Sequence, residues 1–144
     1  MRRELKDSSE EEILHFLGYG DAVPDEQTLH ALREMKTLVM QSSEPRVVYR
    51  VFELHDNQPL DCDVQLAGKD IKRLLQESHA CIFMAATLGT RIDKEMKKLQ
   101  LQDMMKAVLF DSCASAAIEA VCDQVQEELR EHYPYLTDRY SCGY

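Results

Sequence analysis

Ala80-Cys81-Ile82-Phe83-Met84-Ala85-Ala86, closed by Thr87-Leu88-Gly89-Thr90, is the stretch on which the fold turns. It is a continuous apolar run bounded by turn formers, far too short to span a membrane as a helix and the right length for a strand buried on both faces. We expect it to be the central strand of a sheet. From Arg91 to about His132 nearly every residue is a good helix former, and the next proline is Pro134. A buried strand therefore hands over to a long helical region, which reads equally well as one helix or as two joined near Leu101.

Upstream, Arg46 to Leu54 is rich in β-branched and aromatic residues, as a strand requires. Asp56-Asn57-Gln58-Pro59 supplies turn formers. Leu60, Cys62, Val64 and Leu66 then alternate with Asp61, Asp63 and Gln65, the pattern of a strand with one wet face, so the segment reads as a hairpin. Ser8 and Glu11 have capping-box spacing before Ile13, Leu14 and Leu17, with Gly18 and Gly20 ending a short helix. Pro24-Asp25-Glu26 starts a second helix, continued by Leu29, Leu32, Met35 and Val39 and closed by Pro45. Gly68 precedes a third, Lys69 to Ser78, marked by Ile71, Leu74 and Leu75. The sum is an α+β fold: an antiparallel sheet of at least three strands packed by helices, with a long C-terminal helical region. With no repeat or low-complexity linker, residues 1–144 read as a single domain.

Apolar residues make up 44% and charged residues 30% of the 144, the balance of a soluble globular protein with one core. Seventeen Lys and Arg against twenty-six Asp and Glu leave a formal charge of −9, which argues against nucleic acid and anionic membrane surfaces as partners. The start, Met1-Arg2-Arg3-Glu4, has no apolar stretch of a signal peptide, so a cytosolic protein is expected. The five cysteines are scattered and form no C-x-x-C pair, and the five histidines share no metal-ligand spacing. We expect reduced thiols and no protein-bound metal.

Four features carry possible chemistry. The chain closes on Arg139-Tyr140-Ser141-Cys142-Gly143-Tyr144: a planar fork of donors suited to a carboxylate, a hydroxyl, a glycine that admits close approach and an aromatic face. Such a group also occurs in ordinary surface loops. Ser112-Cys113-Ala114-Ser115-Ala116-Ala117 is a run of small residues that lets a backbone or a ligand come near the helix, and close helix packing is the plainer reading. Glu119, flanked by Ile118, Ala120 and Val121, reads either as a solvated glutamate among Asp123, Glu127 and Glu128 or as an acceptor for a ligand ammonium. Thr87-Leu88-Gly89-Thr90 is either a plain turn, with Gly89 at positive φ and Thr90 as a cap, or a backbone-amide site at a helix start. No G-x-S-x-G, P-loop or G-x-G-x-x-G motif is present, and Cys142 has no base beside it in sequence that would make it a redox nucleophile.

Glu12-Ile13-Leu14-His15-Phe16-Leu17-Gly18-Tyr19, Ala85-Ala86-Thr87-Leu88-Gly89, Ala117-Ile118-Glu119-Ala120 and the closing Arg139-x-Ser141-x-Gly143-Tyr144 together resemble the reactivation domain of cobalamin-dependent methionine synthase, especially its small stand-alone relatives. The likeness spans most of the chain, and its most specific element is the R-x-x-x-G-Y loop. Cys142 stands where that family usually has a proline, and the chain ends at Tyr144 where the family's continues, so a domain lacking its C-terminal part is expected.

The resemblance implies an S-adenosylmethionine-binding accessory domain that supports reductive methylation of an inactive cobalamin, with no turnover by itself. Arg139 would meet the ligand carboxylate, Ser141 its polar atoms through the backbone, Gly143 would permit close approach, Tyr144 would pack on the ligand and Glu119 would take its amino group. The cobalamin would come on a partner, a methionine synthase or related corrinoid protein, since no D-x-H-x-x-G motif occurs here. A flavodoxin-like or iron–sulfur protein would supply electrons. The rival reading is a docking module, or a remnant, that binds the corrinoid protein without the methyl donor.

Overall fold

The computed structural model describes residues 1–20 and 22–141. Its elements are α1 (Glu10–Phe16), α2 (Glu26–Ser42), β1 (Arg46–His55), β2 (Gln58–Pro59), α3 (Lys69–Leu75), β3 (Ala80–Thr87), α4 (Thr90–Gln102) and α5 (Met104–His132). The three strands form one antiparallel sheet in the order β2-β1-β3. The α+β class is thus as expected. No helix among the described residues is long and apolar enough to cross a membrane.

The chain packs as two compact units, one of residues 1–47 and 86–125 and the other of 48–85 and 126–144. In the first, Ile13 of α1, Leu32, Met35 and Val39 of α2, Ile92 and Leu99 of α4, and Phe110, Cys113, Val121 and Val125 of α5 form the core. Along α2, α4 and α5 these residues fall three, four, seven or eight apart, the spacing of one helical face. The small-residue run on α5 has its packing role: Ser112, Cys113, Ala116 and Ala117 are buried, and the Cys113 Sγ lies 3.9 Å from the Leu32 carbonyl of α2. A larger side chain there would push α2 away.

The helix ends follow from local hydrogen bonds, with shifts from the expected positions. The α1 capping box uses Ser9 and Glu12, one residue later than Ser8 and Glu11: the Glu12 N–H donates to Ser9 Oγ and the Ser9 N–H to the Glu12 carboxylate, both at 3.1 Å. Ser8 is buried instead. Asp25 occupies the N-cap of α2, accepting from the Thr28 N–H at 2.8 Å, so Pro24 precedes the helix instead of standing in its first turn. Gly89 is the residue before α4 with φ +93°, as its sequence neighbours imply, and Thr90 is the first helical residue instead of the cap. The long helical region is two helices: Asp103 leaves helical geometry at φ −155° and ψ 99°, and its carboxylate accepts from the Lys106 N–H at 3.1 Å to start α5.

The sheet departs furthest from expectation. The hairpin turn is present, with Asp56 and Asn57 at φ 50° and 60° between Leu54↔Pro59 and His55↔Gln58 pairs, a left-handed two-residue turn. The strand after it stops at two residues. Pro59 has no N–H to donate, Asp61 sits at φ 55°, and the Gln58 amide grips the Leu66 backbone at both its N–H (2.8 Å) and its carbonyl (2.9 Å). The alternating segment Leu60 to Leu66 is therefore a loop clipped back on β2. Consequently β1, not β3, is the central strand, and β3 is an edge. Cys81 to Met84 are only half-buried, and Phe83 rests against Phe52 with centroids 5.0 Å apart. A strand paired on one side, on a sheet whose Val48, Tyr49 and Val51 are exposed, is not buried on both faces.

Candidate ligand cleft

The second unit holds an open cleft of about 430 Å³. Its walls are Asp70, Arg73 and Leu74 of α3 and the segment Thr137-Asp138-Arg139-Tyr140. The segment reaches α3's neighbourhood because the chain reverses after α5. Tyr133 and Leu136 close the reversal around Pro134, the Tyr133 N–H donating to Leu129 at 2.8 Å and the Leu136 N–H to Tyr133 at 3.0 Å. Proline cannot extend the helix, and the chain runs back beside α5's last turns.

Two side-chain struts hold the returning segment. The Arg139 Nη1 donates to Gln126 Oε1 at 2.8 Å, and Arg130 pairs with Asp138 at 3.0 Å. Arg139 is half-buried, its guanidinium is held by Gln126, and the residue lines the cleft. With Arg73 and Asp70 one helical turn apart on α3, the walls carry two guanidiniums, two carboxylates, the Thr137 and Tyr140 hydroxyls and the apolar Leu74. Walls of mixed sign suit a ligand that bears both charges, held on an open face of the unit.

Of the residues singled out from sequence, Arg139 lines this cleft and Ser141 follows it, exposed, two residues on. Gly143 and Tyr144, and Cys142 between Ser141 and Gly143, lie outside the described residues. Glu119 is half-buried on the part of α5 that belongs to the first unit, whereas Arg139 and Ser141 belong to the second. Asp70, Arg73, Gln126 and Tyr140 were not singled out. Pro134 was the available signal for Gln126, since a reversal there brings residue 139 back toward residue 126. Nothing local in sequence marks Asp70 or Arg73.

Among the described residues, two thiols have raised pKa values. Burial pushes the Cys113 thiol up to about 12, and burial, with Cys62 nearby, also raises Cys81. A reactive cysteine needs the opposite shift. Among the described residues no group of three or more His, Cys, Asp or Glu side chains is arranged to hold a metal ion. The chain matches no protein-family model, and it matches no curated protein closely enough to identify a relative.

Proposed function

We propose that the chain is an S-adenosylmethionine-binding accessory domain that supports reductive methylation of a cobalamin carried by a partner, a methionine synthase or related corrinoid protein, in the cytosol. The observation that carries this reading is the half-buried Arg139, held by Gln126 on the wall of a cleft of mixed charge. S-adenosylmethionine joins a carboxylate, an ammonium and a sulfonium, and it would supply the methyl group once a flavodoxin-like or iron–sulfur donor has reduced the cobalt. The chain's own residues bind and orient. The Arg139 fork takes the carboxylate, the Ser141 backbone and the Tyr140 hydroxyl take polar atoms, and Asp70 offers a carboxylate to the cationic end within the same unit. The sequence resemblance also assigns Glu119, Gly143 and Tyr144 to the ligand.

Calorimetric titration of S-adenosylmethionine tests it. The wild-type chain should give saturable heat, Arg139→Ala none, and Asp70→Asn a weaker isotherm. Arg139→Lys should also bind poorly, because an ammonium cannot replace a two-pronged fork. Absence of heat at millimolar ligand in the wild type rejects the binding reading and leaves the docking module.

A further inference from the structure

A different part of the molecule, wholly within the first unit, exposes apolar side chains that the ligand reading does not use. Asp103 breaks the helical region into an elbow, and the elbow leaves large apolar side chains in water: Leu101 is 89% exposed, Met104 62%, Met105 48% and Val108 52%. Four such residues within eight positions cluster along the chain, unlike the scattered single exposed hydrophobics that any surface has. Met104 and Val108 are one turn apart on α5, as are Met105 and Val108. Methionine is flexible and polarizable, suited to a surface that adapts to a partner.

The patch is bordered by positive charge. Arg91, Lys94, Lys98 and Leu101 fall three, four and three residues apart along α4, which places them on one helical face, and Lys97 lies beside them. Lys98 is paired with Glu95 at 2.8 Å, and Lys106 with Glu34 across to α2. Among the described residues no ion pair engages Arg91, Lys94 or Lys97. Five basic residues against three acidic ones between Arg91 and Lys106 stand out in a chain whose formal charge is −9. A basic edge beside an apolar centre, on an otherwise acidic protein, complements a partner surface that presents carboxylates.

We propose that the α4–α5 elbow docks a partner protein that presents carboxylates beside exposed apolar side chains. The apolar residues would form the desolvated centre and Arg91, Lys94, Lys97 and Lys98 the rim that steers and registers the partner. An anionic membrane is the lesser fit, because the net negative charge opposes approach and the apolar residues sit on a bend instead of along one amphipathic helix.

The test uses the whole chain labelled with ¹³C at its methionine methyls. The probe is a synthetic helical peptide with glutamates flanking a leucine and phenylalanine stripe, and the control is the same peptide with lysines in place of glutamates. The Glu peptide should shift the Met104 and Met105 methyl signals saturably, more weakly as salt is raised, while the Lys peptide leaves them unmoved. Replacing Lys94→Glu, Lys97→Glu and Lys98→Glu together should weaken the Glu peptide roughly tenfold, the product expected of three exposed ion pairs, with circular dichroism unchanged. Equal responses to both peptides, no response, or shifts confined to Met35, Met40, Met84 or Met96 overturn the proposal. So do concentration-dependent shifts of Met104 and Met105 without peptide, which assign the patch to self-association. Broadening by phosphatidylserine vesicles with no response to the Glu peptide assigns it to a membrane.

Discussion

Cys113 and Gly89 show how single residues hold the first unit. Cys113 packs against the α2 backbone with only 2% exposure, and burial holds its thiol at about 12 against an ordinary value of 9.0. The folded state therefore keeps the proton that the unfolded chain gives up above about pH 9. The contribution is fully present below that pH and is lost as pH rises toward 12, at up to about 1.4 kcal/mol per pH unit. Chemical denaturation at stepped alkaline pH should show a steeper fall for the wild type than for Cys113→Ala, and identical slopes would contradict the burial argument. At Gly89 the constraint is steric: φ is +93°, and an added Cβ would stand 3.2 Å from the Glu44 Cβ. Gly89→Ala should lower stability by about 1–3 kcal/mol, since strain and close contact act together. The Thr87-Leu88-Gly89-Thr90 turn thus has a sufficient structural cause in the join between β3 and α4.

At the scale of elements, the caps decide where helices begin. Asp103 ends α4, its N–H donating to Leu99 at 2.8 Å, and begins α5 by accepting from Lys106. Asp103→Ala should cost about 0.5–2 kcal/mol in equilibrium unfolding and fray the start of α5. A loss of helical signal without any change in midpoint would count against that role. The helices were legible in the sequence because their information is local: Leu32, Met35 and Val39 repeat at helical spacing and are buried, and Ser, Asp and Gly stand at or within one residue of the observed ends. The sheet was less legible because pairing is not local. The alternation from Leu60 to Leu66 satisfies the strand pattern, yet Pro59, the left-handed Asp61 and the Gln58 clip on Leu66 make it a loop. The apolarity of β3 says that it is a strand but not which neighbours it has. Cleft residues divide in the same way: Arg139 was legible from a contiguous pattern, whereas Asp70 and Arg73 meet it only through the reversal at Pro134.

At the scale of the whole molecule, the two proposed surfaces fall in different units: the cleft of mixed charge in the second, the basic apolar elbow in the first. The sheet of the second unit, with Val48, Tyr49 and Val51 exposed, adds apolar surface that favours self-association at high concentration. We propose that Arg139 is the residue through which this chain binds S-adenosylmethionine. Equilibrium dialysis against radiolabelled S-adenosylmethionine measures it without relying on heat or on the corrinoid partner. The account predicts saturable retention approaching one equivalent per chain for the wild type and background retention for Arg139→Ala of equal helical content. Background retention by the wild type at millimolar ligand, or equal retention by Arg139→Ala, would contradict it.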